Sequence, residues 1–413
     1  MTQRIAVIGS GISGLVSAYL LARRYEVTLF EVDDYLGGHT HTHDIVYADQ
    51  SYALDTGFIV FNKKTYPNFC KLLEKLAVPI QKSEMSFSFT SEKMGLEYCG
   101  SSINALFSDR RNLIKPAFYK MVKDISRFNK NAKAHVQNQS ADVSVADFIA
   151  QHNYRDWFTN AYFIPMTAAI WSTKPGEIMQ SPVNFILNFF ANHGLLDVVN
   201  RPQWYIIAGG SRNYIPALMQ DFSGNIHLNT RVTNVRRQGG HIVVHADGAE
   251  IQFDAVVMAV HSDQALALLE QPTPDEAAIL GAIPYQENEA ILHHDRTLLP
   301  KNPRAWASWN YSERNTDLTT LTYYMNKLQN ITAPVDFCVS LNQTELIAPE
   351  KILKRLRYAH PCFTTAAIAA QQRQDEINGA DKIYYCGAYW KYGFHEDGVS
   401  SAMDVCRRLG VEL

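Results

Sequence analysis

The sequence predicts an α/β fold: a parallel, doubly wound sheet gathered from separated parts of the chain, interleaved with an α+β region of antiparallel sheet and helices. Three observations predict it. Residues 4–31 read as strand, glycine-rich turn, helix and strand. Apolar runs followed by glycines and helical spacing recur near residue 204 and near residue 383. Between them lie aromatic helical stretches and short alternating runs, the pattern of an α+β region.

The N-terminal unit carries the most specific signal. Ile5, Ala6, Val7 and Ile8 form the short apolar run of a buried parallel strand. Gly9, Gly11 and Gly14 follow as G-x-G-x-x-G, with Ser10, Ile12 and Ser13 between them. The first glycine permits a tight turn. The second lets a pyrophosphate approach the backbone, and the third lets helix pack on strand. Leu15, Ala18, Tyr19 and Ala22 fall at helical spacing on one face. The run Val27 to Phe30 ends at Glu31, 20 residues after Gly11. A carboxylate there can accept hydrogen bonds from ribose hydroxyls and would repel a 2′-phosphate. The unit therefore reads as a dinucleotide site, with NADP the least favoured ligand.

Composition bounds the rest. The chain has 413 residues, enough for two domains or one large interleaved fold. A net charge of −3 gives no electrostatic basis for a nucleic-acid partner. Six cysteines lie scattered with no C-x-x-C pair, which predicts free thiols in a reducing, cytoplasmic setting. The first strand leaves no room for a secretory signal before it, and no apolar run approaches the ~18 residues of a membrane span. Peripheral contact with the inner face of the membrane stays open, although no basic amphipathic helix stands out. His39, His41 and His43 alternate and would share one face of a strand. No carboxylate–histidine motif accompanies them, so no metal is expected.

A second glycine pair, Gly37-Gly38, follows close behind and is succeeded by His39 and Thr40. A plain NAD-binding unit has no use for it. The doublet, Asp55-Thr56-Gly57, the re-entry at 204–218 with Gly209-Gly210, and the final Gly387 to Gly398-Val399-Ser400 segment together resemble one superfamily. It is that of the FAD-dependent amine oxidases, phytoene desaturases and protoporphyrinogen oxidases. Gly-Gly-His-Thr-His, Asp-Thr-Gly-Phe-Ile-Val-Phe-Asn and Gly-Phe-His-Glu-Asp-Gly bring the chain closest to a bacterial subgroup of NAD/FAD-binding flavoproteins associated with lipid modification. The resemblance implies FAD held by Gly9, Ser10, Gly11, Ile12, Ser13, Gly14, Glu31, Gly37, Gly38, His39, Thr40, Thr56, Gly57, Gly387, Gly398, Val399 and Ser400, with Val232 covering the adenine. It implies an FAD domain in three pieces, 1–65, 203–265 and 379–413. A substrate region, 66–202 and 266–378, is interleaved with them. Two departures are visible: Tyr35 stands where an arginine is usual before the doublet, and Ala388 where an acid follows the strand glycine.

The remaining elements follow from spacing. Residues 66–77 read as a helix and 85–89 as a strand. Residues 106–128 contain helix broken or restarted at Pro116, and polar 130–143 reads as a surface loop. Residues 145–196 are helical and aromatic. After Val232 a meander turns at Gly239-Gly240 and Asp247-Gly248, and 254–260 is a strand. Runs at 288–293, 305–309, 318–325 and 337–341 suggest one antiparallel sheet flooring a substrate cavity. Residues 398–400 lead from a loop into the last helix.

The chemistry implied is that of a flavin. The aromatic-cage position of amine oxidases aligns with His395, and the position of their usual lysine falls near 288–290, where Glu289 stands and no lysine does. These departures favour hydride transfer to or from flavin N5 on a carbon–carbon bond of an apolar, lipid or acyl-chain substrate: dehydrogenation, saturation or isomerisation. His395 is a candidate acid or base, since an unperturbed imidazole titrates near neutrality, and equally a structural residue. Tyr389 is the second catalytic candidate, against simple packing under the loop. Oxidation of a C–N bond, as in an amine oxidase, and a non-catalytic, partner-organising flavoprotein are the alternatives. The electron acceptor is open.

Overall fold

The apolar runs at both ends of the chain and near residue 255 meet edge to edge in the computed structural model, which describes residues 2–197 and 201–413. Strands β1 (Arg4–Ile8), β2 (Glu26–Phe30), β3 (Asn225–His227), β4 (Ala255–Met258) and β5 (Ile383–Tyr385) form one sheet in the order β3-β2-β1-β4-β5. Every pairing is parallel. Ile5 and Val7 enter one apolar cluster and Ala6 and Ile8 another, on the opposite face. Burial on both faces is why these strands read as unbroken apolar runs.

Helix α1 (Ile12–Leu21) corrects the expectation of a one-faced helix. Tyr19 alone among its residues stays partly exposed. The helix is enclosed because the C-terminal helix His395–Arg408 packs on it, with Val399, Ala402 and Val405 in the same apolar cluster as Leu15 and Ala18. The two helices approach most closely at Gly398. A Cβ there would lie 2.7 Å from Ile12 Cγ2, and the Ser13 hydroxyl donates to the Gly398 carbonyl at 3.1 Å.

A second sheet has seven strands. Their order is Ile352–Pro361, Tyr285–His293, Cys338–Leu341, Leu321–Tyr324, Trp309–Ser312, Phe87–Ser91, Leu96–Cys99. All pairs are antiparallel except Trp309–Ser312 with Phe87–Ser91. The strand expected at 305–309 lies later, at Trp309–Ser312, after a 3-10 turn at Pro303–Ala305. Ile352–Pro361 was not legible, because it is an edge strand whose Lys354, Arg355 and Arg357 interrupt the apolar alternation.

The polar stretch 130–143 also needs correction. Pro116 occupies the first position of a single helix, Pro116–Gln137, whose last two turns take up residues 130–137. Asn, Gln, Ala and Lys tolerate a helix, and the buried Phe128 and Ala132 dock this one on the aromatic core. That core runs through Phe148, Phe158, Phe163, Phe189 and Phe190 of the helical region.

The α1 contact yields a stability prediction. Gly398→Ala should lower stability by about 1–3 kcal/mol, the usual cost of forcing a methyl into packed structure. The urea midpoint of the flavin-free protein measures it; an unchanged midpoint would remove the packing role of this glycine.

Candidate functional site

The N-terminus of α1 is a cradle with one open side. Gly9 has φ +96° and a Cβ would sit 2.7 Å from the Ala259 carbonyl, while a Cβ on Gly14 would overlap the Gly9 carbonyl at 1.8 Å. A Cβ on Gly11 would meet no atom within 4 Å. No side chain caps the helix, and its first turn holds no acid. The N–H groups of its first turn are left without an intrahelical acceptor. Glu31, buried at the end of β2, accepts the Ser10 amide at 2.8 Å and the Asp33 amide at 3.0 Å. It braces the turn and keeps lone pairs for a further donor. Ser10 Oγ accepts from the Gly37 amide at 3.2 Å, which seats the doublet on the turn, and a Cβ on Gly38 would lie 3.1 Å from Gly11 Cα. Tyr35, at the arginine position, donates to the Gly38 carbonyl at 3.3 Å and stacks on His41 at 4.3 Å.

The histidines after the doublet do not share a face, contrary to expectation. The strand begins only at Thr42. His41 and His43 lie ring to ring at 4.0 Å, while His39 turns inward to Tyr358 (4.9 Å), His360 (5.6 Å) and His261 (6.1 Å). His39 is half-buried, and its shielded Nε2 has no hydrogen-bond partner among the described residues. Burial pushes His39 and His261 down to about 4 and His360 to about 3, so this cluster is neutral. Thr56 Oγ1 meets Tyr358 Oη at 2.8 Å, and Gly57 leaves no room for a side chain against the His39 carbonyl.

Asp55 is wholly buried and its carboxylate accepts from Thr42 Oγ1, Ser211 N, Ser211 Oγ and Gln329 Nε2 at 2.5–3.1 Å. Burial still pushes its acid up to about 6. The re-entry turn Gly209-Gly210 is thereby pinned beside the Asp55-Thr56-Gly57 segment.

His395 stacks on Phe58 at 3.7 Å and 7°, and its Nε2 lies 3.1 Å from Tyr214 Oη, which in turn meets Thr40 Oγ1 at 2.7 Å. Burial pushes the imidazole down to about 3. The expectation of titration near neutrality is corrected: His395 is a neutral ring at the head of a Thr40–Tyr214–His395 chain. Tyr389 is not brought to it. Tyr389 packs with Ala6, Ile8 and Val256 on the opposite face of the parallel sheet, under the Gly387 turn, its buried hydroxyl unpartnered.

The last helix also begins earlier than expected, at His395, so Gly398, Val399 and Ser400 lie inside it. Val399 is buried and Ser400 Oγ accepts from Asn68 Nδ2 at 3.2 Å. Asp397 accepts the Tyr392 and Phe394 amides, and Glu396 accepts those of Asn68 and Phe69. Gly387 N donates to Ser401 Oγ at 3.0 Å. Val232 starts the meander and packs with Phe30 at the end of β2. Phe58, Tyr214, His261, Tyr358 and His360 received no role from sequence. Phe58 and Tyr214 follow the Asp-Thr-Gly and Gly-Gly signals directly; the other three carry no local signal.

The aromatic helices pack against the segment that precedes His395. Trp171 Nε1 donates to the Tyr392 carbonyl at 3.0 Å. Phe185 packs on Tyr392 and Phe363, each at 4.8 Å, and Phe189 on Phe394 at 4.9 Å. Residues from the aromatic helices thus meet the C-terminal motif.

These features define a nucleotide-binding α/β protein with an attached aromatic core. The chain matches the family described as flavin-containing amine oxidoreductase over residues 12–334, and it belongs to that family. A 1-hydroxycarotenoid 3,4-desaturase of Flavobacterium sp. (strain P99-3) is 28% identical over 224 residues, 52% of this chain and 42% of that protein. Across the longer matches, the chain spans at most 62% of the length of the curated relatives. The crystal structure of a CLA-producing fatty acid isomerase from P. acnes superposes with a TM-score of 0.69 at 15% identity, covering 98% of both chains. Cyclohexylamine oxidase from Brevibacterium oxydans IH-35A gives 0.69 at 12%, covering 99% of this chain and 100% of that one. At these identities the likeness is one of fold.

FAD is the cofactor of this family, and the residues present fit it. The open Gly11 face, the uncapped helix amides and the buried Glu31 suit a pyrophosphate and ribose. Among the described residues no group of three or more metal-ligating side chains is assembled, and no helix is long and apolar enough to cross a membrane.

Two predictions follow from this geometry. Gly11→Val should leave the melting temperature of the flavin-free protein unchanged, because the new side chain enters open space, yet abolish flavin retention. Full yellow holoprotein would remove this turn from the phosphate site. The second concerns pH. His39, His193, His261 and His293 sit near 4 and His360 and His395 near 3 in the folded protein, against 6.5 unfolded. Below pH 6.5 the unfolded chain binds more protons, so stability falls as pH drops towards those values. Asp55 and Asp397, each raised to about 6, oppose this between pH 3.8 and 6. His395→Asn should flatten the slope by about 1.4 kcal/mol per pH unit, one group's worth. Urea midpoints between pH 4 and 7 measure it, and an unaltered slope would refute the neutral-imidazole assignment.

Proposed function

We propose that this chain is an FAD-dependent oxidoreductase that acts on a carbon–carbon bond of an apolar, acyl-chain substrate. The observation that carries the reading is the packed aromatic cluster of Trp171, Phe185, Phe189, Phe363, Tyr392 and Phe394 against the segment that runs into His395. A flexible hydrocarbon gains by transfer into such surroundings at about 25 cal/mol per Å² buried. An ammonium group would lose its hydration there. The absence of the amine oxidase lysine at 288–290 agrees. Asn288 is buried and bonded to Ser172 and Asn342, and Glu289 is taken up by Thr344 and Arg355. The fatty acid isomerase among the similar folds, and the subgroup associated with lipid modification, support the same substrate class.

Bound FAD supplies the hydride chemistry. The chain supplies binding and orientation. Gly9 to Gly14 and Glu31 hold the nucleotide end. Phe58 fixes the His395 ring, and Tyr214 and Thr40 hold a proton in a bonded line to His395 Nε2. His39, with Nε2 unpartnered among the described residues and its ring beside Tyr358, is the second polar group of this region.

Anaerobic titration of the yellow holoprotein tests the reading. Long-chain acyl compounds should change the flavin spectrum or be recovered isomerised or desaturated, while primary amines leave the flavin oxidised. Rapid bleaching by amines would transfer the assignment to C–N oxidation, the alternative that the family description favours. If neither class alters flavin or product, catalysis itself loses its support.

A further inference from the structure

Nine large hydrophobic side chains are exposed among the described residues, and four of them fall between residues 103 and 119. Ile103 is 79% exposed, Ile114 83%, Leu113 48% and Tyr119 49%. They form one neighbourhood. Tyr119 Oη donates to the Leu113 carbonyl at 3.0 Å and its ring lies 6.0 Å from Phe107. Arg110 reaches the Phe107 carbonyl at 3.1 Å and Asn104 Oδ1 at 2.7 Å, closing the patch towards Ile103.

The charge around this patch is one-sided. Residues 103–123 carry Arg110, Arg111, Lys115, Lys120 and Lys123 against Asp109 alone, in a chain of net charge −3. Asp109 is already paired with Arg111 at 3.0 Å, and Asp124 is buried between Arg127 and Arg155. Arg110, Lys115, Lys120, Lys123 and Lys130 have no carboxylate partner among the described residues. On the helix Pro116–Gln137, Tyr119, Lys120, Lys123, Arg127 and Lys130 fall within an arc of about 100° at 3.6 residues per turn. The opposite face of the same helix is docked by Phe118, Met121 and Phe128. Folding therefore does not need Ile103, Leu113 or Ile114 outside, and a soluble surface does not need them clustered.

We propose that this patch, Ile103 with Leu113, Ile114 and Tyr119 inside a rim of Arg110, Arg111, Lys120 and Lys123, docks on the surface of an anionic lipid bilayer. Apolar tips enter the headgroup boundary while the basic rim meets lipid phosphates, the arrangement of interfacial binding. Charge complementarity selects a bilayer over a second copy of this chain, whose identical basic rim would face it with like charge. Nucleic acid would meet the basic rim but leave the exposed isoleucines unpaired. The inference is independent of the reaction at the flavin.

Sedimentation of holoprotein with vesicles tests it, using phosphatidylcholine alone and phosphatidylcholine mixed with phosphatidylglycerol. Partitioning should be at least about tenfold higher on the anionic vesicles and fall with added salt over the range where the Debye length shrinks below ~10 Å. Lys120→Gln with Lys123→Gln, and separately Ile114→Ser, should each lower it about tenfold while flavin content and melting temperature stay at the parent values. Loss of binding without loss of flavin separates this surface from the cofactor site. The proposal is overturned by partitioning that is absent on anionic vesicles or untouched by either variant. It is also overturned if sedimentation velocity shows a dimer dissolved by Ile114→Ser, or if a mobility shift shows nucleic acid bound through the same lysines.

Discussion

The buried carboxylate of Asp55 ties together segments that are far apart in the chain. It accepts from Thr42 beside the histidine turn, from Ser211 after the re-entry glycines and from Gln329 of the second region. The bonds to Ser211 and Gln329 cross 156 and 274 residues of chain. A charge so deeply placed is costly unless its oxygens are filled by donors, and here they are. Gly57 presses on the His39 carbonyl and Thr56 holds Tyr358, while the Thr40–Tyr214–His395 line runs beside it.

The parallel sheet obeys a second constraint, close approach without side chains. Gly14 and Gly398 admit backbone where a methyl cannot go, so α1 sits on β1 and the last helix sits on α1. Gly11 is the exception: its missing side chain faces space instead of protein. His395, bonded to Tyr214 and stacked on Phe58, and Tyr389, packed behind the sheet, lie only six residues apart.

The elements that bury both faces were legible because burial writes an unbroken apolar run, as at Ile5–Ile8 and Ala255–Met258. Elements that meet solvent were less so. The edge strand Ile352–Pro361 carries its charges outward, and the end of the helix Pro116–Gln137 looks like a polar loop until Ala132 is seen buried. The glycine turn was legible because its spacing is local. The histidine cluster left little trace. Tyr358 and His360 come from that unrecognised edge strand, and His261 follows a strand with no motif of its own.

The sequence by itself determined the α/β class and the glycine turn followed by a carboxylate, because each depends on local spacing, whereas the run Trp204–Ile207 pairs antiparallel in a small separate sheet and not in the parallel one. Only the tertiary structure decided which histidines meet, that His395 is neutral, that Gly398 packs helices inside the last helix, and that Ile103 and Ile114 remain outside within a basic rim. Those are outcomes of burial, and burial is set by contacts between residues hundreds of positions apart, which no local pattern records.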